Sequence, residues 1–344
     1  MGEGIAFPHF LNIQKRMKRR AGRIYTEEQE ENHPLNWLQT QRAAVWKGVF
    51  MTENRTVDTT NQIRERIRSA CSRHSADALI PYKEVSSEQL MLAVYYPEGY
   101  DPKQKYPLFC MIHGGAWCNR KIFPDQDQWS GDYLGYLARY YSDRGFLAVS
   151  IDYRLARNFG QTEGYGLPEL RDDCCDAINY LVDHSLQLGI DLSRVYLLGE
   201  SAGGYLAASL VTSYTNRDFS FRKAFLINPI TDVSQPPWME YVPRGGLPTE
   251  QSDIAWASRA KALSPVWQIT EDTCTTILVH GKDDKTVNPE NSVRFYEEMC
   301  RAGNSCSLLL LENTTHAFLL MEYYKGGPEA CERTISEIDR EVES

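Results

Sequence analysis

The stretch 195-VYLLGESAGGYLAASL-210 runs from an apolar, strand-like segment into an Ala-rich helical one, with a single abrupt turn between them. Gly199, Glu200, Ser201, Ala202 and Gly203 occupy that turn. A chain that bends this sharply leaves no room for side chains across the bend. Gly199 and Gly203 meet that steric need, and Ser201 is lifted to the tip in a strained conformation. The N–H of Ala202 then points outward from the first turn of a helix, where donors have no intrahelical acceptor and the dipole favours negative charge. A bare G-x-S-x-G recurs by chance. The strand before it and the helix after it make Ser201 a candidate nucleophile.

Outward from this turn, short apolar runs alternate with helical patterns. The runs are 90-LMLAVYY-96, 107-PLFCMI-112, 146-FLAVSI-151, 195-VYLLG-199, 224-AFLIN-228, 276-TILVH-280 and 307-SLLLL-311, with helical candidates near 131–143, 168–188, 202–215, 289–302 and 328–342. Strands alternating with helices predict an α/β fold, a mostly parallel central sheet flanked by helices. Ligands of such sheets sit beyond the carboxyl ends of the strands, so chemistry is sought there. Residues from about 229 to 270 break the alternation, contain 235-QPPW-238 and 243-PRGGLP-248, and read as a cap insertion over the site.

A serine hydroxyl needs a base, and the base needs an orienting acid. This strand–serine–helix elbow resembles that of a group of hydrolases in which the order along the chain is Ser, acid, His. Two histidines follow Ser201: His280, which ends an apolar run, and His316, which lies just past the last strand in 310-LLENTTHAF-318. Asp283 and Asp284 lie between them, so His316 is the base, and His280 packs or orients the acid loop. Asp284 is preferred over Asp283: it stands four residues after His280 and three before Val287, where the chain turns toward the next helix. Asp283 is assigned to solvent or a turn amide.

A second strand ends at 109-FCMIHGGAWCNR-120, in a loop with little side chain. This is either a tight turn or a place where the backbone itself is needed to hold a developing negative charge.

With HGGAW, GESAGG, HGKDDKTV and TTHAF in order, the chain resembles the α/β-hydrolase superfamily. Within it, the hormone-sensitive-lipase-like carboxylesterases and their H-G-G-x-W relatives are the most similar, over residues 88 to 342. The resemblance implies an α/β-hydrolase fold and acyl transfer through Ser201, His316 and Asp284, with no metal or organic cofactor. It gives the H-G-G loop a role: the N–H groups of Gly115 and Ala116, with that of Ala202, form an oxyanion hole, and His113 braces the loop. Ala116 stands where the family often has glycine, which costs little if its backbone angles are reachable. By the same pattern 152-DYRLA-156 and the helix after Pro168 imply a structural ion pair between Arg154 and Asp173.

The N-terminal part, 1–80, reads as a helical extension or cap, ahead of a catalytic domain at 81–344. In 35-LNWLQTQRAAVWKGV-49 Leu35, Leu38, Val45 and Val49 share a face, and in 59-TTNQIRERIRSAC-71 Ile63, Ile67 and Cys71 do. A net charge of −9 over 344 residues disfavours a nucleic-acid partner. The one basic cluster, 15-KRMKRR-20, sits close to acidic 27-EEQEE-31 and reads as a solvated helix face. No apolar run approaches the roughly 18 residues of a membrane span. The N-terminal segment lacks the order of a secretory signal, and Ala6 breaks the myristoylation pattern that Gly2 opens. Nine scattered cysteines without metal-ligand spacing read as reduced thiols of a cytoplasmic protein.

The expected substrate is a small ester with a short acyl chain, acetyl first, and an acetylated carbohydrate is attractive because aromatics stack on sugars. Trp117, Trp129, Tyr133, Trp238 and Tyr241 are the candidate substrate aromatics; ordinary core and lid packing is the competing explanation for each. Two alternatives stand beside the esterase. Amide hydrolysis, arylformamidase-like or peptidase-like, fits the same scaffold, although such peptidases usually carry an aromatic after the serine where this chain has Ala202. A non-catalytic small-molecule receptor is the reading from another class, and such relatives typically lose a triad member.

Overall fold

A computed structural model of the chain describes residues 75–119, 134–156, 164–216, 218–243, 252–316, 318–319 and 327–343, with most of 62–73. The helix expected over 35–49 and the candidates Trp129 and Tyr133 lie outside the described residues.

Eight strands form one sheet in the order β1-β2-β4-β3-β5-β6-β7-β8. They are β1 (Ala78–Val85), β2 (Glu88–Tyr95), β3 (Tyr106–Ile112), β4 (Leu147–Ile151), β5 (Ile190–Glu200), β6 (Lys223–Ile227), β7 (Thr276–Gly281) and β8 (Cys306–Leu311). The pairs β1–β2 and β2–β4 are antiparallel, and every pair from β4 through β8 is parallel. The parallel strands read as near-continuous apolar runs because helices cover both faces. These are α1 (Gly135–Ser142), α2 (Leu167–Asp183), α3 (Ala202–Ser213), α4 (Ser252–Ala262), α5 (Glu290–Arg301) and α6 (Gly327–Val342).

Strand β1 is the one strand with no counterpart among the apolar runs. It alternates half-buried and exposed residues and carries Pro81, next to a register shift against β2. Proline cannot donate to the ladder and is kept to edge strands, strand starts and bulges; β1 is an edge strand. Helix α4, inside the 229–270 interval, likewise shows little periodicity. Ile254 on it is exposed while Trp256 and Ala260 are buried, so its apolar face is thin.

One cluster unites the α1 and α6 side of the sheet. Phe109, Met111, Tyr196, Leu198, Phe225, Ile227 and Val279 come from alternate strand positions, and Tyr140, Tyr141, Ile335 and Ile338 from the helices. Phe109 stacks on Tyr141 at 4.4 Å and on Phe225 at 5.8 Å. Each such side chain taken from water contributes about 1.5–3 kcal/mol. Ile63, Ile67 and Ala70 join this cluster, so the periodicity seen in 59–71 marks a face buried against the sheet domain. The strands of the parallel block end together, and β3, β5, β7 and β8 each deliver one segment of the site at that edge.

Candidate active site

The elbow follows from steric constraint. Ser201 sits at φ 56°, ψ −117°, between the end of β5 and the first residue of α3. Such a conformation costs about 1–3 kcal/mol and persists only when its surroundings over-determine it. They do: the Ser201 N–H donates to the Ile227 carbonyl at 2.9 Å, and the helix behind leaves no slack. A Cβ on Gly203 would stand 2.1 Å from the Ile112 oxygen, and one on Gly199 2.3 Å from the Gly203 oxygen. Both glycines of the motif are therefore excluded-volume requirements.

Ser201, His316 and Asp284 form one hydrogen-bonded chain. The Ser201 hydroxyl donates to His316 Nε2 at 2.8 Å, and His316 Nδ1–H donates to Asp284 Oδ2 at 2.6 Å. The other carboxylate oxygen, Oδ1, accepts the N–H groups of Thr286 at 2.8 Å and Val287 at 2.9 Å. That pair of amides explains the spacing from Asp284 to Val287: the loop folds back onto its own acid. Asp283 is half-buried, and its N–H donates to the Thr314 carbonyl at 2.9 Å. Lys282 N–H reaches the Leu311 carbonyl at 2.9 Å, so the acid loop and the His316 loop are bonded to each other. His280 is fully buried; Nδ1 accepts from Ser292 at 2.8 Å, and Nε2–H lies 3.1 Å from the Val287 oxygen and 3.2 Å from Asp284 Oδ2.

The 113–119 loop takes left-handed backbone at three successive residues: Gly115 (φ 98°), Ala116 (φ 52°) and Trp117 (φ 59°). Among the described residues none accepts a hydrogen bond from the N–H of Gly115 or Ala116. Ala202, as the first residue of α3, has no intrahelical acceptor either. His113 is buried, its Nδ1–H donates to the Gly114 carbonyl at 2.8 Å, and its ring stacks on Tyr153 at 4.4 Å. The Tyr153 hydroxyl donates to the His113 carbonyl at 2.8 Å. Trp117 has 0% exposure; its indole N–H donates to the Ala202 carbonyl at 2.9 Å. Its ring meets Tyr205, Trp238 and Tyr241 edge-on at 5.2, 5.8 and 4.9 Å.

A family model described as alpha/beta hydrolase fold matches residues 109–320. The chain belongs to the α/β-hydrolase family. An esterase from the Planctomycetes species Thermogutta terrifontis superposes on this hydrolase with a TM-score of 0.60 at 26% identity, over 77% of this chain and 91% of that one. The same esterase has been solved phosphorylated by paraoxon, matching at 25% identity and a TM-score of 0.60 over 77% and 92%. Methylphloroacetophenone synthase of Cladonia uncialis is 25% identical over 70% of this chain. A probable isoprenylcysteine alpha-carbonyl methylesterase of Arabidopsis thaliana is 25% identical over 64%. The hydrolase spans 12% of the first of these proteins and 48% of the second.

The charges of the hydrolase's site support one another. Burial pushes the Asp284 carboxyl up, but the His316 charge and the bonds from His280 and His316 outweigh it and hold the group well below the usual carboxylate range. Burial pushes His316 down, but the Asp284 charge and bond, with the charge of Glu200, hold it above the ordinary imidazole value. Outside this chain of residues, Asp173 is fully buried and receives Arg154 through Nε at 2.7 Å and a terminal nitrogen at 2.8 Å, as well as Lys83 at 2.6 Å. Arg154 also donates to the Glu169 carbonyl at 3.0 Å, fixing the segment after β4 to α2. Two further residues stand at strand ends near the site without a role read from the motifs. Asn228, at φ 43°, accepts the Gly281 N–H at 3.1 Å and joins the ends of β6 and β7. Glu200 places Oε1 4.0 Å from His316 Nε2. No described helix is long and apolar enough to cross a membrane.

Proposed function

We propose that this chain is a serine carboxylesterase that hydrolyses short-chain acyl esters, acetyl foremost, by an acyl-enzyme mechanism. The observation that carries the reading is the continuous chain from Ser201 Oγ through His316 to Asp284, with contacts of 2.8 and 2.6 Å. His316 accepts the Ser201 proton as Oγ adds to the ester carbonyl. The oxyanion that forms is held by the N–H groups of Gly115, Ala116 and Ala202, each worth roughly 10²–10³ in turnover. His316 passes the proton to the leaving alcohol, and water repeats the sequence on the acyl-enzyme. Asp284, ionised throughout, holds the imidazole in the tautomer that presents Nε2 to the serine.

Trp117 acts in this scheme as the anchor of the oxyanion loop, supported by its complete burial and its bond to the Ala202 carbonyl. The packed group of Trp117, Tyr205, Trp238 and Tyr241 behind that loop supports a small acyl site. The eight described cysteines form no disulfide with one another, which supports our reading of a reducing, cytoplasmic setting.

A panel of p-nitrophenyl esters from acetate to decanoate, acetylated sugars and N-formylkynurenine tests the proposal. The acetyl compounds are expected to turn over fastest. A preference for decanoate would remove the short-acyl assignment, and faster turnover of the formyl amide would replace the ester by an amide. Labelling of Ser201 by a fluorophosphonate separates all of these from a non-catalytic receptor, which would stay unlabelled.

A further inference from the structure

Asp284 carries two histidines on one oxygen. His316 Nδ1–H donates to Oδ2 at 2.6 Å, and His280 Nε2 lies 3.2 Å from the same atom. Behind each ring stands a serine: Ser201 Oγ is 2.8 Å from His316 Nε2, and Ser292 Oγ is 2.8 Å from His280 Nδ1. Five side chains thus follow one another with the acid at the centre. The two arms differ in access. Ser201 stands at the tip of the elbow, whereas His280 and Ser292 are fully buried. The second arm therefore meets no substrate, and the acylation chemistry above gives it no task. Packing alone would be met by any ring of that size, without a donor aimed at the acid.

The tautomer of His280 follows from its surroundings. Nε2 faces two acceptors, the Val287 carbonyl at 3.1 Å and Asp284 Oδ2, so it carries the proton, and Nδ1 accepts the Ser292 hydroxyl. Ser292 belongs to the first turn of α5, so the ring is set from outside the acid turn. A carboxylate offers about four acceptor sites. On Asp284 these meet the N–H groups of Thr286 and Val287 at Oδ1 and the two imidazoles at Oδ2. We propose that His280, set by Ser292, is a positioning residue for the hydrolytic reaction: its N–H holds the turn from Asp284 to Val287 and moderates the pull of the acid on His316. The inference rests on the reading of Ser201 as the nucleophile and His316 as its base. A carboxylate whose charge is spread over four donors draws the His316 proton less strongly than one bonded by three. Without the His280 donor the imidazolium is better stabilised, and His316 stays protonated, and idle as a base, to a higher pH. The groups that act most on Asp284 are His316 and His280, and those that act most on His316 are Asp284 and Glu200. His280 passes no proton to the acid.

Two amide variants separate donation from packing. His280→Asn puts its amide where Nδ1 stood, beside Ser292 and short of the acid. His280→Gln carries its amide on to where Nε2 stood, beside Asp284 and Val287. The measurement is kcat and kcat/KM for p-nitrophenyl acetate against pH, with the active fraction of each variant fixed by fluorophosphonate titration. In His280→Asn the acidic limb is expected to move up by about 0.5 in pH, and kcat above the limb to fall about tenfold with KM little changed. In His280→Gln the limb should return most of the way to the parent's. Ser292→Ala keeps the donor and frees the ring, so its limb should move up less than that of His280→Asn. Where His280→Asn yields no folded protein, Ser292→Ala stands in for it. A limb that stays at the parent's pH in His280→Asn, or in its stand-in, overturns the role of His280, and so does an equal move in the Asn and Gln variants. A parent protein that a fluorophosphonate leaves unlabelled at Ser201 overturns the nucleophile reading as well, and so tells the two failures apart.

Discussion

Ser201 and the run from Gly115 to Trp117 both take left-handed backbone, but they are held there by different means. At the elbow one residue is strained, and the restraint is local: a strand ends, a helix begins, and two glycines let them meet with backbone atoms in contact. In the 113–119 loop three successive residues are left-handed, and the restraint comes from afar. Trp117 bonds Ala202, Tyr153 bonds the His113 carbonyl, and the Ala156 N–H donates to the Trp117 carbonyl at 2.7 Å. The elbow is stiff because of what its own sequence omits. The loop is stiff because of side chains that reach it from elsewhere.

The comparison can be broken first at the elbow. Ser201→Ala should lower kcat for p-nitrophenyl acetate by ~10⁴–10⁶-fold with the melting temperature preserved or raised, since alanine keeps the helix start and loses only Oγ. Gly203→Ala tests stiffness by omission: the new Cβ falls 2.1 Å from the Ile112 oxygen, so soluble folded protein should be largely lost, measured by yield and near-UV circular dichroism. A well-folded, active Gly203→Ala would contradict the steric account.

The loop should fail more gently. Trp117→Phe keeps an aromatic and removes the donor to Ala202, so kcat should fall by ~10–100-fold with little change in KM, as the amides of the loop lose their setting. Equal losses in kcat and in substrate affinity would instead make Trp117 part of the acyl wall. The smallest effect is expected at Ala116. Its φ of 52° strains any residue with a Cβ, so Ala116→Gly should change stability by less than about 1 kcal/mol, most plainly as a slightly higher melting temperature, with activity retained.

The pH profile sharpens the same comparison, because it reads the base that both regions serve. In the proposed mechanism His316 acts as a neutral base, and its pKa is raised above the ordinary 6.5 by Asp284 and Glu200 against the effect of burial. The acidic limb of kcat/KM should therefore lie above pH 6.5, with activity falling as pH drops through it. A limb below pH 6 would mean that burial dominates.

The elbow was readable in the sequence because its constraint lies within five residues. Any side chain at Gly199 or Gly203 collides, and the flanking strand and helix have their own periodicities. The turn after Asp284 is local as well, since the amides of Thr286 and Val287 fold back onto its carboxylate within three residues. What stayed illegible depends on partners far along the chain. Nothing local distinguishes a Trp117 that lines a pocket from one that bonds Ala202, 85 positions on. The strain at Ala116 is invisible because alanine is unremarkable in most loops. Asn228 bonds across strand ends and Glu200 meets His316 from another one, and such neighbours are set by sheet order. Strand β1 escaped notice because an edge strand with a proline need not look apolar.

The bond from Trp117 to Ala202 also bears on how such a site can be altered. It ties the loop after β3 to the first turn of α3, the two segments that carry the N–H groups proposed to hold the oxyanion. These segments are therefore not interchangeable parts. A graft that brought in a different H-G-G loop without a tryptophan in register, or a new elbow whose first helical carbonyl was turned aside, would supply the right donors in the wrong frame. Variation in this protein should be tolerated in the two segments jointly or hardly at all.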